Sequence, residues 1–194
     1  MDSSSRKVST EPMPVNALLR YLVAALLLGA AGFHFGAMGE HSGVSWTHGL
    51  FFAAAAWAQV GVGTLLLFRP SRGVVVAGIV ANIGILGLWV LTRTVGLAIG
   101  GDGTPEMWGT IDGLCAMLEM LGLVGLGALL VVPARERTVN RRAGIAGIAT
   151  VWAGVVVLTS LAFSPALAAT DGHDHSNPRK HGSHSGMNMP MPDR

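Results

Sequence analysis

The chain alternates between long apolar stretches and short polar connections. Five stretches run for about 20 residues or more, the length that an α-helix needs to cross roughly 30 Å of hydrocarbon. They cover residues 15–38, 47–68, 73–97, 106–132 and 143–164. The pattern predicts an all-α integral membrane bundle of five transmembrane helices, with an arm of residues 1–14 before it and a disordered tail of residues 165–194 after it.

The positions of the cations predict how these helices are oriented, because Lys and Arg near the ends of spans are retained on the cytoplasmic side. Cations lie in the arm, at the start of the first stretch and in the second and fourth connections, at Arg6, Lys7, Arg20, Arg69, Arg72, Arg135, Arg137, Arg141 and Arg142. The first and third connections contain none and carry Glu40, Asp102 and Glu106. We therefore expect a plasma-membrane protein with its N-terminus inside and its tail outside.

Composition supports this class of protein and excludes others. Apolar residues make up 51% of the chain and charged residues 12%, against about 25% charged residues in ordinary soluble domains. The net charge of +2 reflects mainly the cations at the ends of the stretches, so we expect no nucleic-acid partner. Cys115 is the sole cysteine and can form no disulfide within the chain.

Polar side chains inside the apolar stretches fall on shared helical faces. Residues seven or eleven positions apart differ by only about 20° in direction around a helix. Three pairs have this spacing: His48 with Gln59, Asn82 with Arg93, and Asp112 with Glu119. Because polar groups are costly in lipid, we expect these faces to line one interior, with its charged and histidine side chains in the outer half of the bundle.

Arg93 carries a permanent charge and needs an anion at its expected depth in the membrane. Asp112 is the expected partner. An alternative stays open for these residues, in which Arg93 with Asp112 or Glu119 is an ion pair that only fixes helix packing.

The segment "HFGAMGEHSGVSWTH" places His34, His41 and His48 at seven-residue intervals, with Glu40 beside the second. Its three glycines disfavour a continuous helix, so we expect a turn over residues 38–45. His34 and His48 would then face each other beneath Glu40 and His41. Imidazole with carboxylate suits zinc, copper or iron, although for His34 alone a hydrogen bond between helices is the simpler interpretation.

The tail has unusual chemistry for a polar segment. Its candidate metal ligands are His173, His175, His181, His184, Met187, Met189 and Met191. Imidazole suits Cu(II) and Zn(II), whereas clustered thioethers select Cu(I), so the combination favours copper. A chance enrichment of these residues is the alternative. The end of the fifth stretch also resembles a signal-peptide cleavage site near Ala168 or Ala169, although a simple fifth span is favoured.

Several motifs occur in a characteristic order: His34, "EH" at Glu40, "HGLFF", Gln59, "LWVLTRTVGL", "PEMWGTIDGL" and Glu119. This pattern resembles a group of small polytopic membrane proteins of actinobacteria and related bacteria. The resemblance covers roughly residues 32–119. It implies an integral membrane protein and no particular activity.

The leading hypothesis is a protein that handles copper, or else zinc, at the outer face. Its tail would capture the ion, and a chamber of His34, His41, His48, Asp112 and Glu119 would receive or sense it. In a second hypothesis, the histidine and carboxylate cluster is the metal-dependent site of an enzyme acting on a lipid or quinone. In a third, the chain is a structural accessory subunit without metal. Self-association, the substrate and the direction of any transport stay open.

Overall fold

The computed structural model describes residues 11–44, 46–96, 103–105, 107, 109–132 and 137–164, with the backbone alone at residues 39–44 and 162. The described residues form five helices, and each contains a segment long and apolar enough to cross a membrane. The helices are α1 (Val15–Val44), α2 (Trp46–Phe68), α3 (Arg72–Thr94), α4 (Thr110–Val131) and α5 (Arg141–Ala162). The prediction of five apolar helices is confirmed.

The predicted turn over residues 38–45 is wrong, because α1 continues as a helix to Val44. It passes through the glycines that were expected to end it. A glycine within a helix costs only about 1 kcal/mol relative to alanine. Helix α1 packs against three other helices, α2, α4 and α5, and such packing outweighs local propensity.

Helices α1 to α4 form a closed ring of neighbours. Helix α1 packs on α2, α2 on α3, α3 on α4, and α4 on α1, whereas α5 packs on the side of α1. The core of the ring has an apolar layer that includes Val23, Leu27, Leu66 and Leu126. A second layer contains Phe33 and Leu118. The ring therefore has an interior that all four helices can line.

Helix α5 approaches α1 closely because glycines of α1 face it. A Cβ atom built on Gly29 would lie 2.4 Å from Val155 Cγ1, and one on Gly32 would lie 2.3 Å from Thr159 Cγ2. Real Cβ atoms do not approach other heavy atoms this closely, so both positions need glycine as the helices now lie. Such small residues let helix backbones pack closely in membranes.

Two short strands pair just before α1 and α5. Strand β1 (Met13–Pro14) pairs antiparallel with β2 (Thr138–Val139), with Met13 opposite Val139. The Val15 backbone N–H also donates to the Arg137 carbonyl, at 2.9 Å. The start of α1 and the connection before α5 consequently lie at one end of the bundle, which the predicted orientation requires.

Candidate metal centre and polar cavity

Four polar side chains meet inside the ring, one from each of its helices. They are His34 of α1, Gln59 of α2, Asn82 of α3 and Glu119 of α4, with exposed fractions of 5%, 0%, 0% and 2%. Buried polar groups are costly unless they find partners. We call this set the polar centre, and its hydrogen bonds explain how the four side chains are accommodated.

Glu119 is the acceptor that joins the polar centre. Its Oε1 lies 2.7 Å from His34 Nε2, and Gln59 Nε2 donates to the same oxygen at 2.9 Å. Gln59 Nε2 also lies 3.5 Å from Asn82 Oδ1, and Asn82 Nδ2 donates to the Gly78 carbonyl at 2.8 Å. Within the described part of the chain, Gln59 Oε1 is buried without a hydrogen-bond partner. One acceptor in the centre is therefore available.

Cys115 lies beside His34, one helical turn before Glu119 on α4. Its Sγ is 3.8 Å from His34 Nε2 and 3.9 Å from the Ala30 carbonyl. A nitrogen of His34, the sulfur of Cys115 and an oxygen of Glu119 all lie within 4.8 Å of one another. Imidazole, thiolate and carboxylate form a donor set typical of zinc and copper. We call these three residues the ligand triad.

A cavity of about 270 Å³ leads from the ligand triad toward the α1–α2 connection. His34, Cys115 and Glu119 line it, together with His48 and Asp112. The rest of its wall is mostly apolar and includes Phe33, Phe51, Ile85, Leu88, Trp89 and Ile111. The cavity thus has a mainly apolar wall with a small number of polar groups, as many ligand-binding sites do.

Arg93 and Asp112 are paired at the wall of this cavity, the pairing that the sequence favoured. Arg93 Nη1 also donates to Thr92 Oγ1 at 2.7 Å, and the guanidinium lies 5.2 Å from the centre of the Trp89 ring. The Arg93 side chain is 7% exposed. A carboxylate, a hydroxyl and an aromatic face therefore surround this buried cation, which joins the end of α3 to the start of α4.

The structure brings His34, His48, Asp112 and Glu119, four of the residues proposed from sequence, to one cavity. The side chains of Glu40 and His41 lie outside the described residues, as do all the predicted tail ligands.

The metal ligands predicted from the sequence do not include Cys115. It follows Asp112 by three residues and precedes Glu119 by four, so the helical spacing alone places it on the same face. That spacing was the available signal. The adjacency of α1 and α4, which brings Cys115 to His34, has no comparable signal in one sequence.

Comparisons with family models, curated proteins and solved structures gave no match for this chain. The resemblance to small actinobacterial membrane proteins consequently stays a prediction. Function has to be inferred from the site itself.

Proposed function

We propose that the chain is a multi-pass plasma-membrane protein that binds copper or zinc near its extracytoplasmic face. The observation that carries this proposal is the ligand triad, in which His34, Cys115 and Glu119 offer three donor atoms within 4.8 Å of one another. The triad lies at the end of a cavity that His48 and Asp112 also line.

The spacing of the triad suits a tetrahedral ion after a small adjustment. With metal–nitrogen and metal–oxygen bonds of about 2.0 Å and a metal–sulfur bond of about 2.3 Å, tetrahedral angles separate nitrogen from sulfur by about 3.5 Å and nitrogen from oxygen by about 3.3 Å. The His34–Cys115 separation is 3.8 Å and the His34–Glu119 separation is 2.7 Å. Binding would therefore replace the His34–Glu119 hydrogen bond and move these side chains apart by roughly half an ångström. Gln59 Oε1 is a candidate fourth donor.

The positions of the cations indicate which end of the bundle faces the cytoplasm. Arg20, Arg69 and Arg72 lie near the end of the bundle where α1 begins, and β1–β2 pairing holds the Arg137 segment at that same end. The positive-inside rule makes this end cytoplasmic. The cavity leads toward the opposite end, so it would open to the exterior, on the side where the tail would also lie.

Capture by the tail is the second part of the proposal. The four histidines and three methionines of residues 173–191 would bind the ion first and raise its concentration near the cavity. Met117 and Met120 do not extend the metal ligands into a path across the bundle, because their side chains are 45% and 53% exposed on its outer surface. The proposal is therefore binding or sensing at the outer face and includes no conduction across the membrane.

Metal analysis of purified protein tests this function. The full chain should retain copper or zinc, and a chain ending at residue 164 should retain one ion per protein through the triad. Cys115→Ser should remove the thiolate-to-metal charge-transfer band that Co(II) shows when sulfur is bound. Met120→Leu, on the exposed face of the same helix, is the matched control. Absence of metal from the full and shortened chains would reject the proposal.

The cavity favours one alternative, a membrane enzyme acting on a lipid or quinone. Its volume of about 270 Å³ is larger than a bare ion requires, and its wall is largely apolar. In that case the triad would hold a metal that activates water or supports redox chemistry, and Glu119 could act as a base. A quinone analogue that perturbs the Co(II) spectrum of the wild-type protein would favour this alternative.

A further inference from the structure

A second cavity, of about 430 Å³, lies at the other end of the bundle, where α1 and α3 begin and α2 and α4 end. Its lining includes the polar side chains of Asn16, Arg20, Ser71 and Arg72, and apolar side chains such as Leu66 and Leu129. No carboxylate is among the described residues that line it. We call this space the arginine cavity.

Arg20 lines this cavity, and one of its nitrogen atoms lacks a hydrogen-bond partner among the described residues. It lies five residues, or about 7.5 Å, inside α1. Its Nε atom is buried and has no hydrogen-bond partner among the described residues. The guanidinium is 5.6 Å from the centre of the Tyr21 ring, a contact that supplies no anion. A cation this far into an apolar helix is costly unless an anion or water compensates it.

Arg72, an exposed residue, adds a second cation at the first residue of α3. Ser71 caps this helix, with its Oγ accepting from the Val74 backbone N–H at 3.2 Å. The positive end of the α3 dipole therefore also lies at the cavity. Within the described part of the chain, neither arginine takes part in an ion pair. Arg20, Arg72 and a helix start thus line a space to which the described residues supply no negative charge.

We propose that the arginine cavity binds a phosphate group, carried by an anionic membrane lipid or free in solution. Guanidinium groups match phosphate oxygens in pairs of hydrogen bonds, which an unpaired Nε can join. The apolar wall at Leu66 and Leu129 would contact the glycerol and upper acyl segments of a lipid. The positive-inside orientation places the cavity at the cytoplasmic leaflet, where anionic lipids and polybasic protein segments attract one another.

This site is independent of the proposed metal function. The arginine cavity and the cavity of the ligand triad share no lining residue and lie at opposite ends of the ring. Loss of phosphate binding would leave the metal proposal standing, and the reverse also holds.

Native mass spectrometry of the full chain in detergent tests the proposal. Delipidated protein would be titrated separately with phosphatidylglycerol, with diacylglycerol of the same acyl chains, and with inorganic phosphate. We expect one phosphatidylglycerol or one phosphate ion per protein, and no defined diacylglycerol complex. Preference for phosphatidylglycerol assigns the lipid source, and equal binding of inorganic phosphate assigns the free ion.

Two substitutions report on the arginines separately. Arg20→Gln and Arg72→Gln should each weaken binding about tenfold or more, since each removes a charge-assisted hydrogen bond to phosphate. Arg69→Gln, at an exposed arginine that does not line the cavity, is the matched control and should change little. Circular dichroism and gel filtration would show that each variant is folded. Absence of binding, or binding equal in wild type and both cavity variants, would overturn the proposal.

Discussion

The hydrogen bond between His34 and Glu119 gives the sharpest test of the polar centre. The perturbation is a double-mutant cycle of His34→Ala, Glu119→Ala and the double variant. The two side chains come from α1 and α4, are 5% and 2% exposed, and meet at 2.7 Å. The difference between the effect of the double variant and the sum of the two single effects is the coupling free energy between these side chains.

The expected coupling can be worked from this geometry. Hydrogen bonds between membrane helices average about 0.6 kcal/mol in such cycles and reach about 1.7 kcal/mol. A short distance and nearly complete burial place this pair in the upper part of that range, so we expect about 1–1.7 kcal/mol. Glu119→Ala alone should cost more, about 2–4 kcal/mol, because it removes the partner of His34 Nε2 and the closer of the two acceptors of Gln59 Nε2.

The assay is reversible unfolding by SDS in mixed micelles, followed by circular dichroism, on metal-free protein. Glu119→Gln is the conservative control, because its amide oxygen can still accept from His34. A coupling below about 0.3 kcal/mol, half the average for such pairs, would refute the assignment of this contact as a link between α1 and α4.

Two further predictions address other parts of the bundle. Gly32→Leu should lower the unfolding midpoint in SDS and expose α5 to protease, because its Cβ would collide with Thr159, whereas Gly154→Leu, which faces open space, should do neither. Asp112→Asn should destabilise the protein by about 1–3 kcal/mol in the same titration, since Arg93 keeps its charge and loses the Asp112 carboxylate; equal stability of Asp112→Asn and wild type would contradict a structural role for the pair.

Much of this architecture could be predicted from the sequence. The lengths of the apolar stretches predicted the helices because a bilayer sets the length of a span. The eleven-residue and seven-residue spacings predicted which polar side chains share a face. Gln59, Asn82 and Glu119 are indeed joined by hydrogen bonds or close contacts in the ring interior. These features depend on one helix at a time, and helical periodicity determines them.

The rest depends on which helices are neighbours, and one sequence holds little information on that. His34 and Cys115 meet because α1 packs against α4. The same limit applies to the arginine cavity, because the sequence marks Arg20 and Arg72 only as orientation signals. The wrong turn at residues 38–45 has a different cause. Local glycine propensity favours a turn there, and the packing of α1 against three helices outweighs it.

X-ray absorption on metal-loaded protein would test the ligand triad itself. The sample is the full-length chain with its tail histidines replaced by alanine and its tail methionines by leucine, so that only the bundle can bind. We expect one ion with nitrogen and oxygen neighbours and one sulfur at about 2.3 Å, and loss of that sulfur in Cys115→Ser. An ion without a sulfur neighbour, or a chain that binds no ion, would contradict a metal centre formed by His34, Cys115 and Glu119.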